Sequence, residues 1–309
     1  FAWNNSVALV APVYQYEPEY RAYYKVFLVD FNDPMTPALA AEWTANIEPW
    51  WGGWWWGGGV MPVAEGVDVA AAKDMVYYPW YYNAGDAAFL AGDYLVLRGT
   101  RTAAGWFWDD GTVREMLAVI DLAEDEVVRY VNPGLQNVHS MKAVDNLIYI
   151  TSFDVVSNAG GEGATCAYYL QTFNPFDLKM GARVNVPGVF MHKVPGTGYL
   201  VLEDQQYNEE GGADTLLRSV TIADDDATLV DTTDLEEGYW NFAANGADIF
   251  FAGMKYSGIY YAVDDVVDSE PGSGGAEPVA AKEDATEYYK IGRYALSGEG
   301  KFELGETHP

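Results

Sequence analysis

The sequence predicts an all-β protein, a β-propeller built from four-stranded antiparallel blades. Two observations predict this fold. A short polar turn followed by an apolar strand recurs at a period of about 50 residues. A second apolar strand, a polar hairpin turn and a more polar outer strand then follow each of these in the same order. A period of this length with several short strands per repeat is typical of propellers rather than of sandwiches or helical solenoids.

The second strand of each blade is the clearest repeated element, and about five blades are visible. In blades two to five this strand begins at Tyr94, Leu147, Tyr199 and Ile249. The innermost strands are expected just before, at Ala87–Leu90, Ser140–Val144, Lys193–Pro195 and Phe242–Ala244. Blade one starts almost at once with its second strand, Ser6–Pro12. We therefore expect its inner strand to be missing, and the chain to be part of a longer product with the total number of blades left open.

The third and outer strands complete each blade. The third strands are predicted at Val26–Asp30, Met116–Ile120, Ala167–Gln171, Leu216–Val220 and Tyr289–Arg293. Turns rich in Asn, Asp, Pro and Gly follow them, because these residues supply the backbone angles that a hairpin needs. The outer strands are predicted at Ala38–Thr44, Glu126–Asn132, Lys179–Asn185, Thr228–Asp234 and Lys301–Thr307. Their polar character fits exposed sheet edges.

Two insertions interrupt the period in what we predict to be a single domain over residues 1–309. The first covers 47–85 and is rich in Trp and Gly, and the second covers 264–287 and is acidic and rich in Gly and Pro. Insertions between the strands of a repeat fold are common sites of function. We interpret the second as a surface loop.

The first insertion contains a dense run of tryptophans separated only by glycine. Its members are Trp50, Trp51, Trp54, Trp55 and Trp56. Glycine pairs prevent these indoles from sharing one strand or one core. An exposed aromatic cluster is typical of a protein-binding surface. Stacking on a carbohydrate and packing as a lid over the propeller are the two alternatives that stay open.

Composition limits the partners. The chain has 309 residues, of which 50% are hydrophobic, and carries a net charge of −29. Such a charge argues against a nucleic-acid-binding face. The single cysteine, Cys166, excludes an intramolecular disulfide, and no apolar run is long enough to span a membrane. We expect an extracellular or periplasmic protein, in which the acidic balance reflects solubility, a saline habitat or calcium.

One set of candidate metal ligands follows from the repeat. Counting back from the second strands places Asp86, His139 and Asn241 at the entries of innermost strands, with His192 one residue out of register. These entries surround the central channel of a propeller at one mouth, so the four residues could hold a divalent metal such as calcium. The alternative is that these residues only cap the strands and form hydrogen bonds to neighbouring blades. The acidic run Asp224–Asp226 lacks the pattern of a calcium loop, and we interpret it as a solvated turn.

Blade one resembles a known repeat. Val26-Phe-Leu-Val-Asp30, followed by Asn32-Asp33-Pro34 and Pro37, is similar to the LVIVD type of repeat found in bacterial and archaeal surface propellers of the WD-like kind. The match is good in this blade only. The resemblance implies a propeller fold and a surface setting, and it implies no activity.

No catalytic motif accompanies these features. The glycine runs lack the Lys-Ser/Thr of a phosphate loop, and the chain has no Gly-x-Ser-x-Gly elbow. We therefore predict a binding or scaffold propeller without catalytic function, which engages a protein partner through its insertions. The competing interpretations are a metal-dependent propeller enzyme, such as a lactonase-like hydrolase built on the four channel residues, and a carbohydrate-binding propeller.

Overall fold

The computed structural model describes residues 1–15, 21–49, 87–101, 114–124, 128–135, 137–157, 164–207, 213–237, 239–256 and 287–308. Across these ranges the chain forms β-strands joined by turns, and no α-helix. The described residues accordingly contain no helix that is long and apolar enough to cross a membrane. The predicted all-β class is confirmed.

The strands form five sheets, in which most strands are hydrogen-bonded to the next strand in the chain. The first sheet contains β1 (Ala2–Trp3), β2 (Ser6–Gln15), β3 (Arg21–Asp30) and β4 (Ala38–Ala45). The second contains β5 (Glu48–Pro49), β6 (Ala88–Ala91), β7 (Tyr94–Arg101), β8 (Arg114–Asp121) and β9 (Val128–Val131). The third contains β10 (Val138–Val144), β11 (Leu147–Ser157), β12 (Ala164–Asn174), β13 (Lys179–Met180) and β14 (Val184–Val186).

The last two sheets follow the same plan. The fourth sheet contains β15 (Val189–Lys193), β16 (Tyr199–Tyr207), β17 (Ala213–Ala223) and β18 (Asp226–Glu237). The fifth contains β19 (Tyr239–Asn245), β20 (Asp248–Tyr256), β21 (Glu287–Leu296) and β22 (Phe302–His308). The predicted four-stranded antiparallel units are therefore confirmed, with strand ends that differ from the prediction by a few residues.

The chain divides into two compact units. The first comprises Phe1–Met191 and Ile222–Ala227, and the second comprises His192–Thr221 and Thr228–Pro309.

The prediction that the first sheet lacks an inner strand is wrong. Ala2–Trp3 lies at that position and pairs antiparallel with Ser6 and Val7. The strand was missed because it has only two residues. Asn4 adopts a φ of 48°, a left-handed conformation that asparagine tolerates, and this lets the chain reverse so that Trp3 faces Ser6.

Two other predicted strands are displaced for identifiable reasons. The inner strand of the fourth sheet is Val189–Lys193, not Lys193–Pro195. Val194 instead accepts a hydrogen bond from the Thr197 amide in the turn that follows, and proline cannot donate to a sheet. The outer strand expected at Lys179–Asn185 is split into β13 and β14, which both pair with β12.

The first and second sheets share one hydrophobic core. Tyr24, Val26 and Leu28 of β3 pack with Leu95 and Leu97 of β7, and all five side chains are buried. The Tyr24 hydroxyl also donates a hydrogen bond to the Arg98 carbonyl oxygen over 2.9 Å. The two sheets are thus joined by both apolar and polar contacts.

The second and third sheets share a separate core. Val96 of β7 and Leu117 of β8 pack with Met141, Ile148 and Ile150 of the third sheet. Because side chains alternate along a strand, β7 gives Leu95 and Leu97 to one core and Val96 to the other. The second sheet is therefore buried on both faces.

In the second unit, the fifth sheet packs around Phe251 of β20. Its ring lies 5.4 Å from the ring of Tyr294, measured between centroids. Gly292 lies against the same ring, and a Cβ at this position would collide with it. Glycine is needed here because the aromatic ring occupies the space of its side chain.

Candidate functional site

The predicted metal ligands fall in different parts of the chain. Asp86 lies outside the described residues. His139 belongs to β10 of the first unit, whereas His192 and Asn241 belong to the second. His192 places Nε2 2.9 Å from the carbonyl oxygen of Gly246. Within the described ranges, no three His, Cys, Asp or Glu side chains are grouped to hold a metal ion, and the four-residue site stays a prediction.

The tryptophan run also lies outside the described residues, but both ends of its segment are defined. Glu48 and Pro49, which we expected to lie in the insertion, form β5 of the second sheet. Pro49 of β5 pairs with Gly99 of β7, and Ala88 of β6 pairs with Leu97 of the same strand. Residues 50–86 therefore leave and re-enter the sheet two positions apart on β7.

Gly99 explains how β5 can dock on this strand. A Cβ at Gly99 would collide with the Glu48 carbonyl oxygen and with the Ile47 side chain. Ile47 is itself buried in the core between the first and second sheets. Burial also raises the pKa of the Glu48 carboxyl above its usual value. The start of the segment is therefore anchored in the sheet by side-chain packing.

A buried ion pair lies in the second sheet close to this anchor. Arg98 follows the apolar residues of β7 and is 1% exposed, and its Nε lies 2.6 Å from Oε1 of Glu115 on β8. Its Nη2 donates over 3.3 Å to the carbonyl oxygen of Val138 on β10. Together with the bond from Tyr24, these contacts make Arg98 a junction of three sheets.

Burial raises the pKa of the Glu115 carboxyl, and the neighbouring Arg98 guanidinium opposes that rise. Desolvation dominates because both charges have been taken out of water. The pair is consistent with a structural role: truncating one member leaves the other as an uncompensated buried charge.

His139 occupies a β-bulge beside this pair. Val138 pairs with Ser152 and Ser140 pairs with Thr151, so His139 is the extra residue on β10. A bulge redirects the side chain and often accompanies functional positions. The ring packs edge-on against Tyr168 and Phe153, at centroid distances of 6.1 and 6.5 Å.

The His139 ring is buried without a hydrogen bond to either nitrogen from the described residues. Neither ring nitrogen is reached by water. Burial, together with the positive charges of Arg98 and Lys142, lowers the pKa of His139 to about 4. The imidazole is therefore neutral at physiological pH. Two neighbouring cations make this position, taken alone, unfavourable for a metal cation.

His139 stood out in the sequence, but Arg98 and Glu115 did not. The sequence does contain a signal for buried polar residues. In β7, β11 and β16, four apolar or aromatic residues are followed by a polar one, at Arg98, Thr151 and Glu203. Thr151 is fully buried and its hydroxyl accepts a hydrogen bond from the Phe190 amide over 3.1 Å. In β7 and β11, this end of the strand therefore carries a polar side chain inside the protein.

Comparison with known proteins adds no further residue to the site. Neither a scan against protein-family models nor a search of curated proteins finds a match to this chain.

Proposed function

We propose that this chain is a β-propeller without catalytic function, which binds a protein partner through the segment inserted into its second sheet. The observation that carries the proposal is the position of the two ends of that segment. Pro49 and Ala88 lie opposite Gly99 and Leu97 on one strand, so β7 and β8 can pair whether or not residues 50–86 are present.

The propeller itself is supported by the order of the sheets. Five sheets follow one another along the chain, each a run of consecutive strands. In the first unit, successive sheets share a core on each side of the second sheet. Radial packing of four-stranded sheets in chain order is what defines a propeller.

The tryptophans of this segment are the reason to expect that it binds a protein. Five indoles lie between positions 50 and 56, and an aromatic side chain of this size buries roughly 150–250 Å² on association. Tryptophan is enriched among residues that dominate interface energies. Both ends of the segment are fixed on β7, and fixed ends reduce the entropy that a segment loses when it binds a partner.

The setting that we propose is extracellular or periplasmic. The resemblance of Val26–Pro37 to surface-propeller repeats supports it, as does a net charge of −29, which favours solubility and disfavours nucleic acid.

Replacing residues 50–86 with a short Gly-Ser linker tests the proposal. The matched control removes 264–286, the acidic insertion, and keeps β21 intact. Each chain is expressed in the source cells and recovered by affinity, and the stoichiometry of bound protein is measured. We expect a stoichiometric partner with the full chain and the control, and its loss with the 50–86 replacement at an unchanged melting temperature.

Retention of the partner by the 50–86 replacement would contradict the proposal. Glycan binding that disappears on changing Trp54 and Trp55 to Ala would favour the carbohydrate alternative. Stoichiometric bound metal in the native protein, lost on changing Asn241 to Ala, would favour the metal-dependent enzyme.

A further inference from the structure

The turn between β1 and β2 carries a sequence motif that the proposed function does not use. Asn4, Asn5 and Ser6 form the pattern Asn-x-Ser, in which the middle residue is any amino acid except proline. This pattern is the acceptor for N-linked oligosaccharides. Among all the asparagines of the sequence, Asn4 alone begins such a pattern.

The fold keeps this motif at the surface. Trp3 pairs with Ser6 across the turn, so Asn4 and Asn5 form its tip, and both are exposed to solvent. Asn4 adopts a φ of 48°, which asparagine tolerates because its short polar side chain can hydrogen-bond locally. Tips of exposed turns accept added groups without a change in the strands that they join.

The two asparagines of the turn differ in what surrounds them. Asn5 uses its side chain inside the protein, because Nδ2 donates a hydrogen bond to Oδ1 of Asn32 over 2.9 Å. The residue two positions after Asn5 is Val7, which has no hydroxyl, whereas the residue two positions after Asn4 is Ser6. Only Asn4 therefore meets the requirement of the acceptor motif.

An aromatic side chain lies next to the acceptor. Trp3 directly precedes Asn4 and packs, half-buried, against the core of the first and second sheets. Its Nε1 donates a hydrogen bond to Oδ1 of Asp93 over 2.9 Å, which holds the indole in place. Indoles combine a large apolar surface with a polar edge, so Trp3 offers the apolar face of a sugar ring a fixed surface beside the turn.

We propose that Asn4 is an N-glycosylation site, which carries an oligosaccharide in the exported protein. The proposal rests on the extracellular or periplasmic setting proposed above, since the transfer takes place on chains that cross a membrane. The donor is an oligosaccharide phosphate linked to a lipid. Nδ2 of Asn4 forms a bond to the anomeric carbon of the first sugar, the bond from that carbon to a phosphate oxygen breaks, and the lipid phosphate leaves with the displaced amide proton.

A glycan at this position leaves the inserted segment accessible. The hydrogen bond from Trp3 to Asp93 places the turn beside the start of β7, because Asp93 directly precedes Tyr94. The segment meets the same strand at Gly99, which is roughly 17 Å further along at about 3.3 Å per residue. The attachment point and the segment therefore lie towards opposite ends of the second sheet.

Mass spectrometry of the chain purified from its source cells tests the proposal. The tryptic peptide that ends at Arg21 contains Asn4, and we expect its mass to exceed that of the polypeptide by whole sugar residues. Fragmentation should place the added mass on Asn4. Asn4→Asp keeps the size of the side chain and tolerates the same backbone angle, and it should lose the added mass completely. Ser6→Ala should lose it as well.

Two control variants change the same turn and keep the motif. Asn5→Gln alters the neighbouring asparagine, and Ser6→Thr keeps a hydroxyl at the required position, so both should retain the added mass. An unmodified peptide in chain recovered from outside the cytoplasm would overturn the proposal. So would added mass that survives Asn4→Asp, or its loss in both controls.

Cell fractionation and partner recovery separate this proposal from the proposed function. A chain that is confined to the cytoplasm and unmodified would overturn both the glycosylation site and the setting on which it rests. Asn4→Asp leaves residues 50–86 intact, so the amount of protein partner recovered with it by affinity should be unchanged. Loss of the partner in this variant would contradict the separation of the two sites.

Discussion

The first and second sheets are neighbours in the same unit and contain equally apolar strands, yet they are buried differently. In the second sheet, Leu95, Val96 and Leu97 are all inaccessible to water, because the first sheet covers one face and the third covers the other. In the first sheet, the described residues bury the face with Tyr24, Val26 and Leu28, whereas Leu9 and Leu39 on its other face are 50% and 59% exposed among the same described residues. The difference teaches that a strand's apolar pattern indicates which faces can be buried, and the neighbouring sheets decide which faces are.

The two sheets also differ in how far their ion pairs are exposed to water. The second sheet encloses the Arg98–Glu115 pair away from water, while the first carries the Lys25–Glu42 pair at the surface, with the glutamate side chain 42% exposed. Two ion pairs that look alike in sequence should therefore contribute very differently to stability.

The largest expected effect comes from breaking the buried pair. Glu115→Ala leaves the Arg98 guanidinium buried without its carboxylate, and we expect it to lower the free energy of unfolding by about 3–5 kcal/mol. Glu42→Ala is the matched control, with an expected loss of about 0–1 kcal/mol. Urea denaturation measures both. Arg98→Met combined with Glu115→Leu should recover most of the loss. Equal losses in the two alanine variants would contradict the expected difference between the buried and the exposed ion pair.

Truncating apolar side chains should also destabilise the two sheets to different extents. Leu97→Ala removes a fully buried side chain from the second sheet and should cost about 2–5 kcal/mol, since a cavity remains. Leu9→Ala in the first sheet, where the side chain is 50% exposed, should cost less than about 1 kcal/mol. Urea denaturation measures both losses, and a Leu9 effect as large as that of Leu97 would show that Leu9 is buried in the folded protein.

Acid should weaken the contact between the second and third sheets. The pKa of His139 is lowered to about 4 in the folded protein from about 6.5 in an unfolded chain. The unfolded state therefore binds more protons between these values, so stability is full above about pH 6.5 and falls as the pH drops towards about 4. The loss contributed by His139 approaches about 3 kcal/mol, at about 1.4 kcal/mol per pH unit.

His139→Gln should remove this part of the pH dependence, whereas His192→Gln, the control in the second unit, should retain it. The free energy of unfolding measured at several pH values tests both. Identical pH profiles for the wild type and His139→Gln would show that the imidazole is not held neutral by its surroundings.

A smaller effect is expected where the insertion joins the second sheet. Gly99→Ala places a Cβ against the Glu48 carbonyl and Ile47, which should displace β5 at a cost of about 1–3 kcal/mol. Gly298→Ala is a suitable control, because a Cβ there meets no atom within 4 Å. Thermal unfolding compares the two variants, and a neutral Gly99 variant would mean that the anchor of the insertion is loose.

The strand order could be predicted from the sequence because turn residues and apolar runs alternate clearly. Tyr94, Leu147 and Tyr199 all begin strands as predicted. Ala2–Trp3 was missed because two residues carry no periodicity, and the inner strand near Lys193 was displaced by the turn at Val194. Such local features depend on single backbone angles and hydrogen bonds.

The candidate site could be predicted only in part. His139 was noticed from its position at a strand entry, but its bulge, its aromatic neighbours and its neutral state depend on the register of β10 on β11. Arg98 and Glu115 meet because of the register of β7 on β8, which pairs Thr100 with Glu115. Register to a single residue is a property of the packed sheet and cannot be read from one strand.

If residues 50–86 are a separate binding segment, as we propose, the second sheet should fold as a complete scaffold without them. Native-state hydrogen exchange tests it most directly, by comparing the full chain with the chain in which 50–86 is replaced by a linker. The account predicts that the amides of Leu95–Leu97 and Leu117–Ile120 are among the slowest to exchange and keep the same rates in both chains, because these strands are paired and buried on both faces. Fast exchange of these amides in the replaced chain would contradict it, because the segment would then be part of the fold.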